Sequence, residues 1–205
     1  MNLRVTELFY SLQGEGLRAG EPSVFVRFSG CSAKHACATS GVVCDTEFES
    51  GRPTTEDELL DDVATRGGHC RWVVWTGGEP TDQLTPELIA RFHAAGYRQQ
   101  IETSGVRPVP PGLDWVTVSP KVAEHILARH FPLRADGFHV DELKYVRHTG
   151  QDIPVPALRA QRYCLSPHCD GERMNVENLA HCIALCLEHP VWRLSVQQHK
   201  LWRVR

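Results

Sequence analysis

No apolar run in this chain approaches the roughly 20 residues needed to cross a bilayer; the longest are a handful of residues. The opening MNLRVTELFYSLQ sets Arg4 and Glu7 inside its apolar stretch, which excludes a signal-peptide core. Charge of one sign is lacking too. The 22 Lys and Arg against 25 Asp and Glu leave a formal charge of −3, with no basic excess for wrapping nucleic acid. Cysteine, at eight in 205 residues, falls below the ~8–10% of a secreted disulfide scaffold. Internal repeats and low-complexity segments are absent. These absences predict a soluble, cytoplasmic protein with no membrane or nucleic-acid partner, whose thiols are unpaired or metal-bound rather than disulfide-linked.

What is present suffices for a core. Hydrophobic residues are 41% and charged residues 23%, which predicts one ordered domain over residues 1–205. Runs rich in β-branched and aromatic residues, bounded by Gly, Pro or Ser, predict strands at Leu3–Leu12, Val24–Phe28, Trp72–Trp75 and Gln99–Glu102. The same pattern predicts strands at Trp115–Val118, Leu143–Val146, Tyr163–Leu165 and Trp192–Val196. Between them lie helix signals. Thr55-Glu56-Asp57-Glu58 is a capping box, and Thr85-Pro86 is an N-cap followed by a first-turn proline, with Gly96 as the stop. Asn175 caps a helix whose Leu179, Cys182, Ile183, Cys186 and Leu187 share one face. Strands alternating with helices predict an α/β fold with parallel neighbours. At this length that means a shortened, partially open (β/α) barrel, because a full barrel takes about 250 residues.

Two segments carry chemistry. Trp72-Val73-Val74-Trp75-Thr76-Gly77-Gly78-Glu79-Pro80 runs a strand into two glycines at its C-terminal end, where parallel folds place ligands. A tight strand-to-helix turn without a ligand is the alternative. Cys31, Cys37 and Cys44 follow another strand, separated by five and six residues in a polar stretch, and Asp45-Thr46 comes next. Three thiolates leave a fourth coordination position open, which suits catalysis better than a closed structural site.

Together with Ser11–Gly16, Pro22–Cys31, Ile101–Gly105, Trp115–Lys121 and Trp192–Lys200, these segments resemble the 7-carboxy-7-deazaguanine synthases of the queuosine pathway. These are lyases of the radical S-adenosylmethionine superfamily, and the resemblance runs in order from about residue 6 to the C-terminus. It implies a [4Fe–4S] cluster on Cys31, Cys37 and Cys44, with S-adenosylmethionine bound by Gly78, Glu79, Ser119, Pro120, Lys121 and Ser166. It implies Mg²⁺ at Thr46 and a pterin substrate held by Leu12, Gln13, Gly14, Glu15, Arg27, Thr76, His199 and Arg205. The implied reaction is ring contraction of 6-carboxy-5,6,7,8-tetrahydropterin to 7-carboxy-7-deazaguanine with loss of ammonia. An external flavodoxin-like or ferredoxin-like electron donor and a homodimer are implied as partners.

This chain departs from the family in two places. The usual C-x3-C-x2-C-D-T is not met, since Gly41 stands three residues before Cys44, so the middle ligand is Cys37 or, failing that, Cys70. Ser166 stands where the family carries Gln before Pro167. Two other readings fit parts of the chain. One is a zinc-binding structural protein using Cys164, His168, Cys169, Cys182 and Cys186; the other is an activating enzyme that places a radical on a partner protein.

Overall fold

Strand alternation sorts the side chains of each strand between two faces, and here one face is apolar while the other is largely polar. The computed structural model describes residues 2–39 and 47–205, so Cys44, Asp45 and Thr46 lie outside the described residues. The strands are β1 (Leu3–Leu12), β2 (Pro22–Phe28), β3 (Arg52–Thr54), β4 (Trp72–Gly77) and β5 (Arg98–Thr103). They continue as β6 (Trp115–Val118), β7 (Val140–Arg147), β8 (Ala160–Pro167) and β9 (Trp192–Leu194). The helices are α1 (Lys34–Thr39), α2 (Glu56–Gly67), α3 (Pro86–Ala94), α4 (Glu124–His130), α5 (Val176–Glu188) and α6 (Gln198–Trp202).

Among the described residues the strands form one nine-stranded sheet in the order β3-β1-β2-β4-β5-β6-β7-β8-β9. β1 is antiparallel to β2 and β3, and every neighbour pair from β2 to β9 is parallel. The sheet does not close, because β3 and β9 are its two edges. The α/β fold is therefore a partially open barrel, as the alternation of strands and helices predicts.

The expected caps are present. Thr55 Oγ1 accepts the Glu58 N–H at 3.2 Å while its own N–H donates to Glu58 Oε2 at 2.7 Å. Thr85 caps α3 through the Leu88 N–H, and Asn175 caps α5 through the Glu177 and Asn178 N–H groups. Several strands differ in extent from the expectation: β7 and β8 each begin three residues earlier, at Val140 and Ala160, and β3 lies where no strand is expected. β9 stops at Leu194 rather than Val196, although the Ser195 N–H still reaches the Leu165 carbonyl at 2.8 Å. β3 is a three-residue edge strand containing Pro53, a residue that sheet edges tolerate and interiors do not.

Under the helices lies the core. Phe28 stacks on Trp75 at 5.7 Å between ring centroids, and Phe92 of α3 meets Trp75 edge-on at 4.9 Å. Fully buried Gln99 accepts the Trp75 indole N–H at 3.0 Å and donates to the Ile89 carbonyl at 2.8 Å, which removes both polar liabilities. A second cluster gathers Leu127, Leu143, Leu158, Leu165 and Cys182 beneath α4 and α5. Among the described residues no helix is long and apolar enough to cross a membrane.

Candidate active site

The C-terminal ends of β2 and β4 are tied together by backbone. Gly78 N–H donates to the Phe28 carbonyl at 3.0 Å, and Glu79 N–H to the Gly30 carbonyl at 3.1 Å. A Cβ at Gly78 would strike the Gly30 carbonyl and come within 2.9 Å of the Cys31 Cβ, so only glycine lets the two strand ends approach this closely. Gly78, Cys37, Ser119, Lys121 and Ser166 then line a cavity of about 560 Å³. Lys121 Nζ donates to Ser119 Oγ at 3.0 Å across Pro120, which fixes that turn. Ser166 is buried at the end of β8.

Glu79 is only 1% exposed. Its Oε1 accepts from Thr103 Oγ1 at 2.6 Å, Thr81 Oγ1 at 2.7 Å and the Thr81 N–H at 3.2 Å. Its Oε2 accepts the Ser104 N–H at 3.0 Å and the Ser104 hydroxyl. A carboxylate with five donors around it has little capacity left for a ligand amine; its geometry pins β4 to β5.

A larger cavity of about 740 Å³ adjoins the first, and all eight residues of the implied pterin set line it: Leu12, Gln13, Gly14, Glu15, Arg27, Thr76, His199 and Arg205. The loop after β1 forms its floor. A Cβ on Gly14 would collide with the His199 ring, and Gly16, at φ +70°, packs against the Glu142 carboxylate. The floor is anchored by the Leu17 N–H on Glu142 Oε2 at 2.8 Å and the Gly16 N–H on Ser195 Oγ at 2.9 Å. Arg27 faces Glu7, with its Nε 3.2 Å from Glu7 Oε2, and Arg205 pairs with the other oxygen of Glu7.

Of the wall between the cavities, sequence reasoning singles out Glu15 and misses the other three residues. Glu15, Glu102, Lys144 and Gln197 line both. Register explains how they meet: Glu102, Thr117 and Glu142 stand in one row across β5, β6 and β7, and Lys144 is two residues further along β7. The ammonium donates to Glu15 Oε2 at 2.6 Å and Glu102 Oε2 at 3.2 Å. Gln13 and Gln100 donate to Glu102 Oε1 at 3.1 and 2.8 Å, and Gln197 donates to Glu15 Oε1 at 3.1 Å.

Burial acts on every member of this cluster. It pushes Glu102 and Glu142 above the usual carboxylate range against the pull of Lys144. On Glu15 burial also pushes upward, but the charge and hydrogen bond of Lys144, with Gln197 and His199, outweigh it and hold the carboxyl below its ordinary value. On Lys144 burial pushes downward, and Glu102, Glu15 and Glu142 together overcome it, so its ammonium persists. The sequence carries a partial signal, since Glu142 and Lys144 alternate with Leu143 and Tyr145 along one strand, but only the fold shows that both charges are buried.

The cysteines separate by position. Cys31 and Cys37 are half-buried thiols beside the strand ends. Cys70 precedes β4, at the opposite end from Gly78, with its Sγ 3.3 Å from the Pro22 carbonyl. A strand of this length spans roughly 20 Å, so Cys70 cannot share a cluster with Cys31 and is removed as the alternative middle ligand. Cys164 shares a row with Lys144 and feels the charges of Glu142 and Lys144, which places it on the polar face. Cys182 packs in the core on the other face. A single zinc ion cannot bridge them. Among the described residues no group of three His, Cys, Asp or Glu side chains is set for a metal ion, and Cys44 and Thr46 lie outside that set.

No protein-family model matches the chain. A 7-carboxy-7-deazaguanine synthase of Bacteroides thetaiotaomicron is 40% identical over 207 residues, covering all of both chains. One of Bradyrhizobium diazoefficiens is 38% identical over 219 residues, again covering all of both. The crystal structure of QueE from Escherichia coli matches with a TM-score of 0.69 at 28% identity, over 97% of this chain and 95% of that one. End-to-end similarity in sequence and in fold leads to one conclusion: the chain belongs to the 7-carboxy-7-deazaguanine synthase family of enzymes.

Proposed function

We propose that this protein is a radical S-adenosylmethionine lyase that contracts 6-carboxy-5,6,7,8-tetrahydropterin to 7-carboxy-7-deazaguanine with release of ammonia. One observation carries the reading: the residues implied for the substrate and most of those implied for S-adenosylmethionine fall into two adjoining cavities with a common wall. A [4Fe–4S] cluster with S-adenosylmethionine bound would supply the radical chemistry that starts the reaction. Cys31 and Cys37 beside Gly78, together with Cys44, are the thiols that hold the cluster. The residues fit that group, because the glycine contact leaves the strand ends close and Cys37 in the wall of the smaller cavity.

Gly78 offers its backbone to the methionine amine, while Ser119, Lys121 and Ser166 bond the polar groups of the cofactor. Glu79 acts from behind, holding Gly78 in place. In the larger cavity Gln13 and Glu15 meet the aminopyrimidinone edge, and Arg27 pairs with the substrate carboxylate through its guanidinium fork. Thr46 lends its hydroxyl to a Mg²⁺ ion that takes most of its charge from the substrate. An external flavodoxin-like or ferredoxin-like protein donates the electron, and the enzyme works in the cytoplasm as a homodimer.

Anaerobic reconstitution tests the metal centre. Iron and acid-labile sulfide should be found in equal amounts, should be lost in Cys31→Ala, Cys37→Ala and Cys44→Ala, and should be retained in Cys70→Ala. Zinc alone, or a full cluster in Cys37→Ala, would overturn the assignment.

A further inference from the structure

Lys144 gathers carboxylates from separate parts of the chain. Its ammonium meets Glu15 from the floor loop and Glu102 from β5, and it also feels Glu142 on its own strand. One positive charge against three carboxylates leaves the buried cluster with a formal 1 − 3 = −2 when all are ionised. A desolvated surplus of acceptors favours a ligand that brings donors. The oxygens are also held in place, Glu102 Oε1 by Gln13 and Gln100 and Glu15 Oε1 by Gln197. A 2-aminopyrimidinone edge presents a ring N–H beside an amino group. A ring with a carbonyl in place of that amino group would set oxygen against oxygen.

Resting on the pterin reading above, we propose that Lys144 is a positioning residue that holds Glu15 and Glu102 side by side as acceptors for this two-donor edge, and so sets the enzyme's preference for a 2-amino ring. Nothing in the resemblance assigns Lys144 or Glu102. The charged and titratable groups around the cluster are Glu15 and Arg18 on the floor loop, Glu102 on β5, Glu142 on β7, Cys164 on β8 and His199 on α6.

The test is binding of 6-carboxypterin and of 6-carboxylumazine, which has a carbonyl instead of the 2-amino group, to the reconstituted enzyme. Arg27 serves the carboxylate of both probes, so their ratio isolates the amino edge. Wild type should favour the pterin. Lys144→Met should cut that preference about tenfold or more, and Lys144→Arg should restore most of it. As pH rises above the usual carboxylate range, Lys144→Met should gain affinity for the pterin more steeply than wild type. Without the ammonium, burial favours the protonated carboxyl, which accepts poorly from two donors. Equal weakening toward both probes, with no change in preference or pH slope, would overturn the proposal. Should Lys144→Met fail to fold, Glu102→Gln asks the same question: loss of preference supports the proposal and an unchanged ratio refutes it. Wild-type enzyme that binds neither probe would overturn the pterin reading, and this inference with it.

Discussion

Taking an acceptor away from buried donors costs more than the bonds it made, because the donors stay dry with nothing to bond. Glu79 is such an acceptor for Thr81, Thr103 and Ser104. Glu79→Gln places an amide where only acceptors fit and should destabilise the protein by about 1–3 kcal/mol, read by denaturant unfolding. Unchanged stability would return Glu79 to a ligand-facing role. Arg27 makes the contrasting case, since its partner Glu7 lies in the cavity and the account gives it a second partner in the substrate carboxylate. Losing one side of a desolvated charge pair costs on the order of 2–5 kcal/mol. Arg27→Ala should therefore weaken 6-carboxypterin by roughly 30-fold or more while leaving a pterin without the carboxylate nearly unaffected, as titration calorimetry would show. Burial also separates the thiols: it pushes Cys164 up to about 12 and Cys182 up to about 11. Both should resist iodoacetamide at pH 8 until the chain unfolds, because the thiolate is the reactive form. Rapid labelling of either in folded protein would contradict their burial.

Elements with chemical punctuation were readable in advance, and elements without it were not. The capping box at Thr55, Thr85-Pro86 and Asn175 each start a helix where the residue types require one. α4 and α6 are preceded by Ala123 and Gln197, which make no side-chain cap, so nothing local marks them. The floor loop was legible as Gln13-Gly14-Glu15-Gly16, but the reason for its glycines is tertiary. Gly14 is forced by His199, which lies far along the chain, and Gly16 by Glu142. Gly16→Ala combines a positive-φ penalty with a clash against a buried carboxylate. A loss of roughly 1–2 kcal/mol is expected from the backbone alone. Pterin affinity should fall with it, while cluster content stays at the wild-type level. Normal affinity would mean that the floor loop tolerates displacement. Lys144 and Glu102 escaped sequence reasoning for a related reason. Spacing along the chain cannot show that β5 and β7 flank a single strand whose row residue is the small Thr117.

At the scale of the whole molecule, the open sheet divides its labour between two faces. Helices cover the apolar face and supply the core, while the other face keeps polar side chains around two joined cavities. The motif segments are scattered from Gln13 to His199 in sequence, and the parallel strand order brings them around that pair of cavities. The central claim is that the two cavities form one reaction chamber, and product analysis tests it most directly. Reconstituted enzyme, reduced and given S-adenosylmethionine, Mg²⁺ and 6-carboxy-5,6,7,8-tetrahydropterin, should yield 7-carboxy-7-deazaguanine and ammonia in equal amounts. Cleavage of S-adenosylmethionine with the pterin left unconsumed would contradict it.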